Sequence, residues 1–344
     1  MQEQKKQQQF SLADFLSSES YCRTLTSLNL NLSSNNLGSK AAYELSQALE
    51  KCIFIENLDL NIGQNSIGAK GSQYLSQAIS KLTSMLSLSL NLMENKIGAK
   101  NISFFISALQ NCKKMKKISL NLNQNNIQLK GFEELCLDIS KSINPSNLTL
   151  SFCQSKITSY GALKLIQVLS NMANLQYLNL NLSQNNITEL NIFNLFSDLF
   201  KQQCISQLHL DLSYNKLKEI IPLQFQPNSP CFSKLDQLVL DLNYNELDQQ
   251  NKINLFQTLS YLTNLSHLKL NFKGNSTYDK TEKEINAHLS NLKNLKTLFF
   301  FFIYETFEYN QNKRDQLARR NQNMRNELIK KQKRLIKLNR TFIC

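Results

Sequence analysis

Residues 25–37 read LTSLNLNLSSNNL, residues 55–67 read IENLDLNIGQNSI, and residues 85–97 read MLSLSLNLMENKI. In each stretch apolar residues alternate with Asn, Ser or Asp, the two-residue period of a strand with one buried face. The apolar residues that open the successive runs are Leu28, Leu58, Leu88, Ile118, Leu148, Leu178, Leu208, Leu238, Leu268 and Leu298, and every step is thirty residues. A fixed period of that size marks stacked supersecondary units, none of which can bury its apolar face without its neighbours. The 344 residues therefore read as one elongated domain, although the length alone would suggest two.

After each run the period lengthens. Leu45, Ala48 and Leu49 stand at i, i+3 and i+4, one side of a helix, and the trios Leu75, Ala78, Ile79 and Phe105, Ala108, Leu109 repeat the spacing. A strand followed by a helix, ten times over, predicts a parallel sheet backed by a wall of helices.

Residues 25–37 resemble the leucine-rich-repeat consensus, with Asn35 at its asparagine position, and the half-repeat carrying Gly71 and Leu75 resembles the ribonuclease-inhibitor-like subclass. The resemblance runs over roughly residues 11–305 and departs in one respect. An extra pair, Asn31 and Leu32, lengthens each strand by two residues. The resemblance implies an α/β horseshoe of ten thirty-residue strand–helix repeats, with the parallel sheet on the concave face and helices on the convex face. It also implies a non-enzymatic scaffold or adaptor that recognises a protein partner on the concave face. The expected organisation is an N-terminal tail and cap over residues 1–22, repeats over 23–305, and a basic C-terminal helix over 306–344. Phe15 and Leu16 fall near the helical positions of a zeroth repeat. Pro222, Pro227 and Pro230 predict that the seventh unit loses its helix to an extended loop. The Asn, Gln and Lys enrichment is similar to that of protist proteins from AT-rich genomes.

The motifs of catalysis are missing. No phosphate loop, HExxH zinc helix, GxSxG elbow or kinase signature is present, and His209, His267 and His288 are scattered, so no catalytic, cofactor or metal residue is read. Cys22, Cys52 and Cys112 share a slot that other repeats fill with Leu82, Met172, Phe232, Leu262 or Leu292, which marks an apolar core position rather than a disulfide framework. No CxxC spacing suggests zinc or redox chemistry. With no apolar signal core in residues 1–9 and no membrane span, a reducing cytoplasmic or nuclear compartment is expected.

The period lets the outward residues be read in columns. One column holds Asn31, Asn61, Asn91, Asn121, Ser151, Asn181, Asp211, Asp241, Asn271 and Phe301. Its amides either support the extended strand locally or hydrogen-bond one another as a ladder. A second column, from Asn35 through Asn65 and Asn95 to Asn275, is assigned to the turn backbone. At the seventh repeat the first column changes character. Asp211 and Asp241 place two carboxylates on neighbouring strands, His209 and Lys269 share the next column, His267 lies one further, and Tyr214 and Tyr244 sit at matching loop positions. Acids beside tyrosines have the composition of an interface hot spot, and these seven residues are the candidate partner-binding set. Lys269 neutralising the acids is the simpler alternative.

The C-terminal segment is of another kind. From Lys313 to Arg340 eleven basic residues meet only Asp315 and Glu327, a net +9 of the chain's +13. Leu317, Met324, Leu328, Leu335, Leu338 and Phe342 follow a heptad seam, and Phe299 to Phe302 form an aromatic last strand that this helix is placed to cover. Lys330, Lys331, Lys333 and Arg334 are left for an acidic surface. Nucleic-acid binding would rest on this segment alone, since Arg23 is the one arginine before residue 313 and the strand face has no basic stripe. A regulator of a small GTPase, similar to Ran GTPase-activating proteins, is the alternative function, weakened because that resemblance implies an acidic tail.

Overall fold

The computed structural model describes residues 12–17, 22–188, 204–220, 234–275 and 282–301. They belong to two compact units, 1–185 and 186–344. In the first unit, helix α1 (Leu12–Ser17) precedes β1 (Ser27–Asn31), α2 (Gly38–Leu49), β2 (Asn57–Asn61), α3 (Gly68–Lys81) and β3 (Ser87–Asn91). Then come α4 (Ala99–Ala108), running into a 3-10 turn at Leu109–Asn111, β4 (Lys117–Asn121), α5 (Leu129–Ser142), β5 (Asn147–Ser151), α6 (Ser159–Leu169) and β6 (Tyr177–Asn181). The second unit holds β7 (Gln207–Asp211), β8 (Gln237–Asp241), α7 (Gln249–Leu259), β9 (His267–Asn271), α8 (Glu282–Leu289) and β10 (Thr297–Phe301). Within each unit neighbouring strands are parallel and paired thirty residues apart, as Leu28 with Leu58 and Leu238 with Leu268.

The alternation of the sequence becomes the two faces of these sheets. Leu28, Leu30 and Leu32 are buried, as are Leu148, Leu150 and Phe152, while Asn29 and Thr149 between them face outward. The helical trios complete the core: Leu75, Ala78 and Ile79 have no exposed surface. The extra pair is absorbed by continued pairing, with Leu32 N donating to Asn61 O at 2.7 Å and Ser34 N to Gly63 O at 2.9 Å. Phe15 is buried, and α1 packs against α2.

The asparagine column seals the turns. Asn65 Nδ2 donates to the carbonyls of Leu32, Ile62 and Gly63, and its Oδ1 accepts from the backbone N–H of Asn35 and Leu37 in the preceding repeat. One buried amide thus satisfies backbone groups of two repeats. Around it the chain takes left-handed backbone at non-glycine positions, for example Gln64 (φ 59) and Ser66 (φ 51), a conformation that costs on the order of 1–2 kcal/mol per residue. The hydrogen bonds offset that strain where the column holds an amide; the fifth repeat has Ser155 there instead.

Helix spacing depends on small residues. A Cβ added at Gly131 would lie 2.2 Å from Ala99 Cβ, so α4 and α5 approach there with no room for a methyl group. An alanine is ordinarily worth about 1 kcal/mol over glycine inside a helix. Gly131→Ala should reverse that sign and destabilise the first unit by about 2 kcal/mol, because two packed helices must separate. A urea midpoint equal to or above the native one would show that the helices do not meet at this position.

The described cysteines form no disulfide. Cys52 and Cys112 donate to the carbonyls of Ala48 and Leu82, both at 3.4 Å. Burial pushes the Cys112 thiol up to about 11 and the Cys136 thiol up to about 12. Burial, with the Cys22 thiol alongside, raises Cys52 as well. Thiols held protonated in this way are packing groups rather than nucleophiles.

In the repeat after β7 the described residues up to Ile220 form no helix. Two asparagines of α7 take over its hydrogen bonds. Asn251 accepts from Ile220 N and donates to Lys218 O, and Asn254 Nδ2 donates to Ile220 O at 2.7 Å. Pro222, Pro227 and Pro230 themselves, and the basic segment 306–344, lie outside the described residues.

Candidate functional site

The seven candidate residues all fall in the second unit, on the outward side of β7–β9 and the turns after them. Strand register sets Asp211 beside Asp241 and Asp241 beside Asn271, with His209, Val239 and Lys269 in the next row and Gln207, Gln237 and His267 in the third. The outward rows are therefore those the thirty-residue period predicts.

The acids have local duties as well as charge. Asp211 Oδ1 accepts from Ser213 N at 2.9 Å and Asp241 Oδ1 from Asn243 N at 3.0 Å. Asn31, Asn61, Asn91, Asn121, Asn181 and Asn271 make the same bond to the residue two ahead. The column is thus a series of strand-end caps, and local support replaces the amide ladder. A cross-strand rung does form at the acids, where Asn271 Nδ2 donates to Asp241 Oδ2 at 2.9 Å. Where the column lacks an amide, at Ser151, Asn123 Oδ1 of the preceding repeat caps Cys153 N instead, at 2.7 Å.

Burial raises the Asp241 pKa first, and the Asp211 charge raises it further. The Asn243 N–H, the Asn271 amide and the Lys269 ammonium oppose the shift. His209, half-buried across Val239 from Lys269, is lowered by burial and then by the Lys269 charge. The Lys269 charge thus acts on both Asp241 and His209.

The tyrosines form the apolar part. Tyr214 and Tyr244 stack at 4.5 Å between centroids and 18° between planes, and Tyr214 is 51% exposed. Both occupy left-handed backbone, at φ 52 and φ 48. The same turn position in the first unit carries polar side chains in a hydrogen-bonded row, such as Ser34 Oγ to Gln64 Oε1 at 2.7 Å and Gln64 Nε2 to Glu94 Oε2 at 3.2 Å. On the far side of Tyr244 stands Gly274, at φ 71, where a Cβ would come within 2.6 Å of the ring. Lys273 Nζ lies 5.7 Å from the centroid of Tyr244. Next to this stack, Asn243 Oδ1 is buried with no hydrogen-bond donor.

His267 belongs to a separate cluster. Ser266 Oγ donates to Asp236 Oδ1 and sits 2.5 Å from His267 Nδ1, which is 4.0 Å from Asp236 Oδ2. With its one hydrogen given to the carboxylate, the hydroxyl accepts from Nδ1–H. The order is acid, hydroxyl, imidazole, and among the described residues no carboxylate other than Asp236 is paired with the ring to orient it as a base. The arrangement fixes His267 at the strand start rather than activating Ser266. Asp236, Ser266, Asn243 and Lys273 were not among the sequence-derived candidates, although reading the columns one step to either side of the strand reaches them. Among the described residues no three His, Cys, Asp or Glu side chains converge as a metal ion requires.

The fold is a leucine-rich-repeat solenoid. No family model and no curated protein matches the sequence. Among solved structures, a TLR13–ssRNA13 complex is 22% identical, with a TM-score of 0.48, over 86% of this chain and 39% of that chain. The chain thus spans well under half the length of that protein. Human 5T4, described as Wnt-activated inhibitory factor 1, is 16% identical with a TM-score of 0.40, over 73% of this chain and 89% of that one. The Listeria monocytogenes internalin inlF is 16% identical with a TM-score of 0.31, over 83% and 89%.

Proposed function

We propose that the protein is a non-enzymatic scaffold that recognises a protein partner on the strand face of its second unit. His209, Asp211, Tyr214, Asp241, Tyr244, His267 and Lys269 form the contact surface. The observation that carries this reading is the stacked, outward Tyr214–Tyr244 pair beside the Asp211–Asp241 carboxylates. Strained backbone holds two aromatic rings, Tyr214 exposed and Tyr244 half-buried, at a turn position that polar residues fill in the first unit, and an aromatic anchor beside desolvated charge is how interfaces concentrate binding energy. The thirty-residue strand–helix period supports the ribonuclease-inhibitor-like subclass. Regulation of a small GTPase gains nothing from these residues. In the same reading, Lys330, Lys331, Lys333 and Arg334 give the basic C-terminal segment a second attachment to an acidic surface.

The test is the double variant Asp211→Asn, Asp241→Asn. Asparagine keeps the caps on residues 213 and 243, as it does on residue 63 from Asn61, and removes both charges. The sign of the stability change follows from the raised Asp241 pKa. Well below about pH 4 the carboxyl is protonated in folded and unfolded chains alike and contributes nothing. As pH rises through the folded value, the folded state must ionise a half-buried group, and stability falls. The variant should therefore be at least as stable as wild type at neutral pH and should lack that decline. With the native complex purified and its partner titrated at about 150 mM salt, the variant should bind at least about tenfold more weakly, the loss of one to two charge contacts. Equal affinity, with melting unchanged, would show that the acids are not the contact.

A further inference from the structure

The helix-to-strand turns of the first unit form a single row. Glu56 N donates to Thr26 O, Leu86 N to Glu56 O, Lys116 N to Leu86 O, Ser146 N to Lys116 O and Gln176 N to Ser146 O, all at 2.7–3.0 Å. Consecutive turns therefore stand about one strand spacing, ~4.8 Å, apart.

Two features meet on that row. The turn between α4 and β4 carries Lys113, Lys114 and Lys116, β4 opens on Lys117, and Lys141 stands in the last turn of α5, all exposed; among the described residues none of the five is paired with a carboxylate. The turn between α2 and β2 exposes two adjacent apolar side chains, Ile53 at 48% and Phe54 at 52%. Only the turn bearing Thr83 and Ser84 separates them, so the apolar tip and the lysines are about 10 Å apart. Across the row seven lysines (51, 81, 113, 114, 116, 117 and 141) and Arg23 face two glutamates (50 and 56), a balance of +6. One of those glutamates, Glu50, is bridged to Lys81 at 2.6 Å.

The chemistry of the row selects its occupant. Lysine is a hydrated, mobile point charge, whereas arginine gives the planar fork that reads a particular carboxylate or phosphate. A row built from lysine suits a diffuse anionic field. An acidic peptide or a nucleic acid would meet the lysines and leave Ile53 and Phe54 in water. The chain's own C-terminal segment, at +9, has the wrong sign. A lipid surface with anionic headgroups offers both phases within the required distance, and stable attachment there takes two signals, charge and apolar insertion, as found here.

We propose that the turn row of the first unit docks on an anionic lipid surface, with Lys113, Lys114, Lys116 and Lys117 among the headgroups and Ile53 and Phe54 at the acyl boundary. This docking is independent of the partner surface in the second unit.

The full chain would be sedimented with vesicles of phosphatidylcholine, alone or mixed with phosphatidylserine. It should bind the mixed vesicles, lose that binding as salt rises, and ignore phosphatidylcholine. Each lysine near such a surface is worth about a fivefold change in partitioning. Changing Lys113, Lys114, Lys116 and Lys117 together to glutamine should lower binding by at least about thirtyfold. Both measurements are repeated with Lys330, Lys331, Lys333 and Arg334 changed to glutamine, so that the C-terminal charge cannot stand in for the turns. The chain contains no tryptophan, so Phe54→Trp supplies a single reporter whose emission should shift to the blue and be quenched by acyl-chain spin labels. Wild type failing to bind mixed vesicles, quadruple variants binding like their parents, or an indole reporter that stays in water would each overturn the proposal. The last outcome, with the lysines still required, would assign the row to a soluble polyanion.

Discussion

Replacing Asn95 with alanine should lower the stability of the first unit by about 4 kcal/mol, while the same change at Asn35, in the same column, should cost less than about 1 kcal/mol. The difference lies in what each amide holds. Asn95 has no exposed surface. Its Nδ2 donates to the carbonyls of Ile62, Leu92 and Met93, at 2.8, 3.1 and 3.1 Å, and its Oδ1 accepts from the N–H of Asn65 and Ile67. Truncation leaves the buried N–H groups of Asn65 and Ile67 without their acceptor and takes one donor from each of the three carbonyls, which keep bonds from Asn65, Asn125 and Gln64, in a turn whose left-handed residues are Glu94 and Lys96. Asn35 is exposed, and its side chain donates once, to Ser33 O at 3.1 Å. Water replaces that bond at little cost. Urea unfolding followed by circular dichroism distinguishes the cases, and near-equal midpoints would mean that the asparagines are not what closes the turns.

The buried columns were legible because burial in a solenoid is periodic. A leucine every second residue, returning every thirty, leaves one arrangement in which all such leucines are covered, and the paired register Leu28–Leu58 is that arrangement. The asparagine at position 35 of the repeat was legible for a related reason, since a short amide offers two donors and an acceptor at once to turn backbone. The preceding column was harder. From spacing alone, amides at 31, 61 and 91 could bond across strands or back to their own chain. Turn geometry decides, by presenting the N–H of residue 33, 63 or 93 at 3.1–3.2 Å.

The candidate site was legible as a change of residue type, from amide to acid at Asp211 and Asp241 and from glutamine to tyrosine at Tyr214 and Tyr244. Stacking of the tyrosines was not, because matched positions do not specify ring planes. Nor were Ser266 and Asp236, which stand outside the alternating run. The lysine turn at 113–117 stayed hidden for a different reason. Its neighbour Cys112 drew attention to the inward slot, and the significance of the outward lysines depends on Ile53 and Phe54, some sixty residues earlier, which only stacking of the turns brings near.

Two aspartates introduced one residue apart should have opposite consequences. Leu150 in β5 has no exposed surface and lies in register between Leu120 and Leu180. Leu150→Asp removes a fully buried side chain, worth about 2–3 kcal/mol, and puts in its place a carboxylate that must either stay ionised in an apolar layer or take up a proton, adding several kcal/mol more. A domain's whole margin is about 5–15 kcal/mol. Cooperative melting of the first unit should therefore be lost, and because each repeat is stabilised by its neighbours, the repeats on both sides of β5 should open with it. Thr149 points outward, in register between Ser119 and Asn179, with no acid beside it. Thr149→Asp should change stability by no more than about 0.5 kcal/mol, as surface substitutions do. Hydrogen exchange provides the sharper measurement. Amides of β4 and β6 should lose protection with Leu150→Asp and keep it with Thr149→Asp. Since a one-residue slip of a strand exchanges its faces, the reverse result would mean that the alternation had been assigned to the wrong face throughout the first unit, and equal results would mean that β5 buries neither.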